Sequence, residues 1–124
     1  MKRRRWRALH AVMAAVSLSL APLVVQAAID CTGTVTNLSL QMGTAGTVTL
    51  SLSNGPTYTY FCNVGEGNLN GVSPSVCRTM YATLLTAKAT NKQVLIRFYD
   101  HDSCTAVPSW ANAGALGWTK VLLD

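Results

Sequence analysis

The chain has 124 residues, 49% of them hydrophobic and 12% charged, with a formal net charge of +5. Half of its ten Lys and Arg residues are Lys2, Arg3, Arg4, Arg5 and Arg7, and from residue 28 onward five basic side chains face five acidic ones, a net charge of zero. A neutral body of that size is one small domain, and it lacks the basic surface that attraction to nucleic acid or to anionic lipid requires.

Residues 1–27 have the pattern of an export signal. The basic cluster is followed by an apolar run from Ala8 to Val25. Val25-Gln26-Ala27 then places small residues at the −3 and −1 positions of a cut before Ala28. Ser17, Ser19 and Pro22 interrupt the run, which makes it a poor membrane anchor, so no stable membrane insertion is expected after cleavage. The Arg-rich style points to a bacterium, with the product in the periplasm or the medium. Cys31, Cys62, Cys77 and Cys104 all follow the signal. In an oxidising compartment they are expected to form two disulfides rather than to serve as metal ligands or nucleophiles.

Residues 28–124 read as a single domain. Residues 33–40 form a weak strand whose apolar positions change parity between Val35 and Leu38, which predicts a bulge near Asn37. A turn over 42–46 leads to residues 47–53, where Val48, Leu50 and Leu52 alternate with hydroxyl side chains, the pattern of a half-buried strand. Asn54-Gly55-Pro56 marks the next turn, and residues 58–64 the third strand. The glycine-rich stretch 65–71 reads as a flexible loop. Ser73 and Pro74 then open a helix whose inner stripe is Val76, Cys77, Met80, Tyr81, Leu84 and Ala87. Thr90-Asn91 ends it. Residues 93–99 form a fourth strand with Val94, Ile96 and Phe98 on one side; residues 104–114 form a loop that turns at Pro108; residues 116–123 form the last strand. The chain is therefore mainly β with one helix, in the order β-β-β-α-β-β. That is the order of an OB-fold, a small Greek-key barrel, and also of an open sheet with one helix on a face.

Chemistry-bearing residues are sparse. Asp100-His101-Asp102 is the most reactive-looking triplet, and His101 is the one histidine after residue 27. Adjacent loop residues rarely converge on one ion, so a solvated loop is the better reading, and neither a metal nor another cofactor is expected. The chain has no Gly-x-Ser-x-Gly elbow, and Glu66 is its sole glutamate, so no catalytic residues are assigned and no enzyme is expected. Tyr58, Tyr60, Tyr99, Trp110 and Trp118 can be read as a sugar-stacking groove or, more commonly, as core and interface residues. Trp110, in a loop after Pro108, is the one expected to be exposed.

Several segments resemble the B subunits of bacterial toxins of the subtilase cytotoxin and typhoid toxin type. They are Tyr60-Phe61-Cys62, Ser75-Val76-Cys77, Val94-Leu95-Ile96-Arg97-Phe98-Tyr99, Pro108-Ser109-Trp110 and Ala113-Gly114-Ala115-Leu116-Gly117. The resemblance covers about residues 58–116. It implies an exported OB-fold protein that assembles as a homo-pentamer and binds sialylated glycans. It also implies a bond between Cys62 and Cys77, which join a strand end to a helix start across one short loop; Cys31 is then left to pair with Cys104. The family's site carries a tyrosine three residues beyond its arginine, a place that falls on Asp100 here. The expected ligand site is therefore the end of the fourth strand, Tyr99, Asp100 and His101, where it meets Trp110. A carboxylate at that place favours a neutral or cationic ligand over a sialic acid. The alternative is a secreted or periplasmic protein-interaction or inhibitor module that keeps the fold and lacks the glycan site.

Overall fold

The structure, a computed structural model, describes residues 27–122. Apart from Ala27, the expected signal peptide lies outside the described residues, and so do the last two residues of the chain. The elements are β1 (Ala28–Leu40), β2 (Thr47–Leu52), β3 (Thr59–Asn63), α1 (Pro74–Ala89), β4 (Gln93–Tyr99), a short 3-10 turn at Cys104–Ala106, and β5 (Leu116–Val121). The five strands form one antiparallel sheet in the order β3-β2-β1-β4-β5. The described residues are thus mainly β with one helix, in the expected order.

β1 organises the sheet. Its first half pairs with β4, from Ala28 opposite Tyr99 to Thr34 opposite Gln93. Its second half pairs with β2, from Val35 opposite Leu52 to Leu40 opposite Val48. The register shifts between Val35 and Asn37, at the predicted bulge. The bulge carbonyls do not go unpaired: the Lys88 ammonium donates to the oxygens of Thr36 at 2.8 Å and Val35 at 3.4 Å. Lys88 stands in the last turn of α1, where a cation also complements the helix dipole. β1 begins five residues before the predicted strand. Gly33 hides the alternation of Ile29, Cys31 and Val35, and its missing Cβ admits the Ser53 hydroxyl, which accepts the Thr34 N–H.

A second set of bonds joins β3 to the segment before β5. The Tyr60 N–H donates to Ala111 O at 2.8 Å, and the Ala113 N–H donates back to Tyr60 O at 3.1 Å, a parallel bridge. The Thr59 hydroxyl adds a bond to Ala111 O. Asn70 sits at this seam with φ 55°. Its side-chain amide donates to the carbonyls of Tyr60 and Phe61, and its own carbonyl accepts the Leu116 N–H. The glycine-rich stretch, expected to be flexible, is therefore pinned. Asn63 Nδ2 also donates to the carbonyls of Glu66 and Gly67, and Leu69 pairs with Val72.

Val48, Leu50, Phe61, Leu84, Val94, Ile96 and Phe98 are fully buried and make the core between sheet and helix. Two expectations need correction. β2 is not half-buried, since Thr49 and Ser51 are almost wholly covered as well; Ser51 lies beneath the turn before β3 and accepts the Tyr58 N–H at 2.7 Å. Val76 is half-exposed and does not belong to the helix's inner stripe, which is Cys77, Leu84 and Ala87 with Met80 and Tyr81 at its margin. Cys77 is drawn inward by its disulfide, so the neighbouring position turns out.

Both disulfides pair as expected. Cys62–Cys77 ties the end of β3 to the first turn of α1, and Cys31–Cys104 ties β1 to the loop after β4. Among the described residues no helix is long and apolar enough to cross a membrane.

Candidate recognition site

Tyr99, Asp100 and His101 lie where β4 ends. The Tyr99 N–H donates to Ala115 O, and the Asp100 N–H donates to Ala27 O at 2.8 Å. Asp100 adopts φ 67°, the left-handed region that a non-glycine residue enters at a cost. His101 then reaches across to the last loop, with Nε2 2.7 Å from the Ala113 carbonyl oxygen. A carbonyl only accepts, so Nε2 carries the proton in this contact. Gly114, at φ 80°, makes room: a Cβ there would meet His101 Nε2 at 3.1 Å. The loop after β4 and the loop before β5 are joined at this point.

Trp110 lies in the same last loop, 60% exposed and at φ 55°. Its partner is Tyr58, which is 39% exposed and at φ 49°. The rings stack with centroids 4.8 Å apart and planes 6° from parallel. The Trp110 N–H donates to Tyr58 O at 2.9 Å. The structure thus joins His101 to the loop that carries Trp110, while the Trp110 ring itself rests on Tyr58. The other aromatics divide: Tyr60 and Tyr99 are half-buried, and Trp118 is exposed on β5.

Trp118 belongs to a second cluster, on the outer face of β1, β4 and β5. Arg97 clasps Asp30 through two bonds of 2.7 Å, Nε to Oδ1 and Nη2 to Oδ2. Its guanidinium lies 3.7 Å from the Trp118 ring centre, and the Lys120 ammonium stands 5.1 Å from the same ring. Gly117 permits this, because a Cβ there would strike the Arg97 stem. The hydrogen bonds from Arg97 hold the Asp30 carboxyl below its ordinary range, and Asp30 in turn holds Arg97 above its own.

Among the described residues no three His, Cys, Asp or Glu side chains gather as a metal would need, and no enclosed pocket is present. What the loops present is flat aromatic surface beside hydroxyl and amide groups. Sequence reasoning singled out Trp110 but not its pairing with Tyr58, which lies 52 positions away in the chain. It also missed Asn70, although Asn70-Gly71 is itself a turn signal suited to a left-handed residue. Comparison of the chain with family models, with curated proteins and with solved structures finds no match.

Proposed function

We propose that this chain is an exported, non-catalytic recognition module built on an OB-fold-like barrel, and that it binds a glycan. The signal pattern and the two disulfides support export. β4 returns beside β1, a Greek-key order, and the seam from β3 to residues 111–113 draws the two sheet edges together; both support the barrel. One observation carries the binding site: Asp100 and Trp110 are held at positive φ on two loops that His101 joins through Ala113. Strained, exposed residues of this kind persist where the surrounding structure over-determines them, and they cluster at ligand sites.

The Asp100 carboxylate sets the ligand's charge. At ~4 Å in a water-like medium it costs a bound sugar acid ~1 kcal/mol, and more in a drier contact. Neutral glycans are therefore preferred over sialylated ones. A glycan screen of wild type and Asp100→Tyr tests this. Wild type should bind neutral glycans, and the substitution should relax the discrimination against sialic acid. Tight sialoglycan binding by wild type, unaffected by changes at Tyr99, Asp100 or Trp110, contradicts both the site and the preference. Absence of any glycan binding leaves the protein-interaction module as the reading. The resemblance to toxin B subunits extends the proposal to a five-membered ring, which light scattering on the mature protein checks as five times the monomer mass.

A further inference from the structure

We infer that the stacked Tyr58–Trp110 pair is the anchoring subsite for an uncharged sugar ring, which lies on the outer face of Trp110. This rests on the reading of the chain as a glycan-binding module and names the subsite and the chemical class it takes. Large aromatic rings are ordinarily buried, yet here two of them leave the core together and cover each other on one side only. With planes 6° apart, nothing can insert between them, so the open Trp110 face is the contact surface.

The pair is rigid before any ligand arrives. Tyr58 is fixed from below by the buried Ser51 hydroxyl and Trp110 by the Tyr58 carbonyl. The parallel bridge between Tyr60 and Asn112, bonded through Ala111 and Ala113, holds the two loops in step. Both residues occupy positive φ, which their bulky side chains do not adopt without compensation. A platform fixed in this way loses little further freedom on binding, which favours affinity for a rigid, flat-faced ligand.

Charge selects the class of ligand. Residues 53–65 carry no Lys, Arg, Asp or Glu, and neither do residues 103–119. An anionic sugar or a phosphate would find no cation on these two segments and would be repelled by Asp100 at the end of β4; on the segments themselves a quaternary ammonium would find no carboxylate. Thr57 and Ser109, which precede Tyr58 and Trp110 in the chain, and Asn112, which pairs with Tyr60, are exposed. Hydroxyl and amide groups of that kind donate to and accept from sugar hydroxyls. The apolar C–H face of a neutral pyranose on Trp110, with its hydroxyl rim toward these groups, satisfies both halves of the surface.

Trp110 and Trp118 are the only tryptophans after residue 27, so Trp118→Phe makes emission report on Trp110 alone. The mature Trp118→Phe protein is titrated with cellobiose, chitobiose and lactose, and with sialyllactose and choline as charged probes. A saturable emission change with a neutral sugar, and none with the charged probes, is expected. Calorimetric titration of the same sugar should show a loss of about tenfold or more for Trp110→Gly, and retention within about fivefold for Trp110→Tyr, which keeps a flat ring. Glycine at a positive-φ position preserves the native backbone, and a cooperative urea transition verifies that each variant is folded. If glycans bind with equal affinity to wild type, Trp110→Gly and Tyr58→Gly, the subsite is wrong while the recognition reading stands. A response to choline alone overturns the ligand class. Failure of every glycan overturns both readings. An emission change that follows protein concentration instead of sugar would make the pair a self-association contact and overturn the inference.

Discussion

Trp110 and Tyr58 hold φ values of 55° and 49°, where the Cβ of an L-residue crowds its own carbonyl oxygen. That strain gives a prediction that does not depend on any ligand. Trp110→Ala and Trp110→Gly both remove the ring, so their difference isolates the backbone. Glycine should be the more stable of the two by about 1 kcal/mol, the reverse of the usual order at a negative φ. Urea denaturation of the pair of variants measures it, and an alanine variant as stable as glycine would show a relaxed backbone. At Asp30 the prediction is one of pH. Its ordinary value is 3.8, and the hydrogen bonds from Arg97 lower it. A lowered carboxylate contributes stability that is present above its unfolded value and is lost as pH falls through the folded value. The thermal midpoint of wild type should therefore exceed that of Asp30→Asn by a constant margin above about pH 5, and the margin should close below about pH 4. Both groups are partly exposed, so the margin is small and shrinks with added salt.

α1 separates a buried stripe from an open one. Leu84 is fully buried against the sheet, whereas Val76, eight residues earlier, is 51% exposed. Leu84→Ala should cost about 2–5 kcal/mol through lost burial and a residual cavity, and Val76→Ala less than about 0.5 kcal/mol. Equal costs in denaturant titrations would mean that the helix packs with another face. Asn70 fastens β3 to β5, and Asn70→Ala should cost about 2–3 kcal/mol, because Phe61 O loses a donor, Tyr60 O is left with the Ala113 N–H alone, and a left-handed position loses a tolerant residue. These elements also mark how far the sequence could be read. Strand alternation at Val48, Leu50 and Leu52 and at Val94, Ile96 and Phe98, the Ser73-Pro74 helix start and the bulge near Asn37 were legible because each is a local pattern. The start of β1 was not, since Gly33 is buried by neighbours that are distant in sequence. The seam between β3 and residues 111–113 was hidden for the same reason, and with it the Tyr58–Trp110 stack. Trp110 and His101 could be named singly; that one is held by Tyr58 and the other by Ala113 depends on chain closure, which no window of sequence contains.

Two disulfides supplement a core that is small for independent stability. Cys62–Cys77 closes a sequence separation of 15 and Cys31–Cys104 one of 73. Loop entropy then assigns them about 3 and about 4.5 kcal/mol. Replacing Cys31 and Cys104 by alanine should thus lower the urea midpoint more than replacing Cys62 and Cys77, and the reverse order would show that the short bridge braces the folded state directly. The same closure that brings β3 to the last loop also stacks Trp110 on Tyr58, and His101 ties the β4 end to that loop at Ala113. Under the proposed function this seam is the recognition surface. An NMR titration of isotope-labelled residues 28–124 with the best-binding neutral glycan decides this. Shifted amides should cluster at residues 57–60, 99–101 and 108–114. Shifts confined to the helix or to the 42–46 turn, or no shifts at all, would show that the seam binds no glycan.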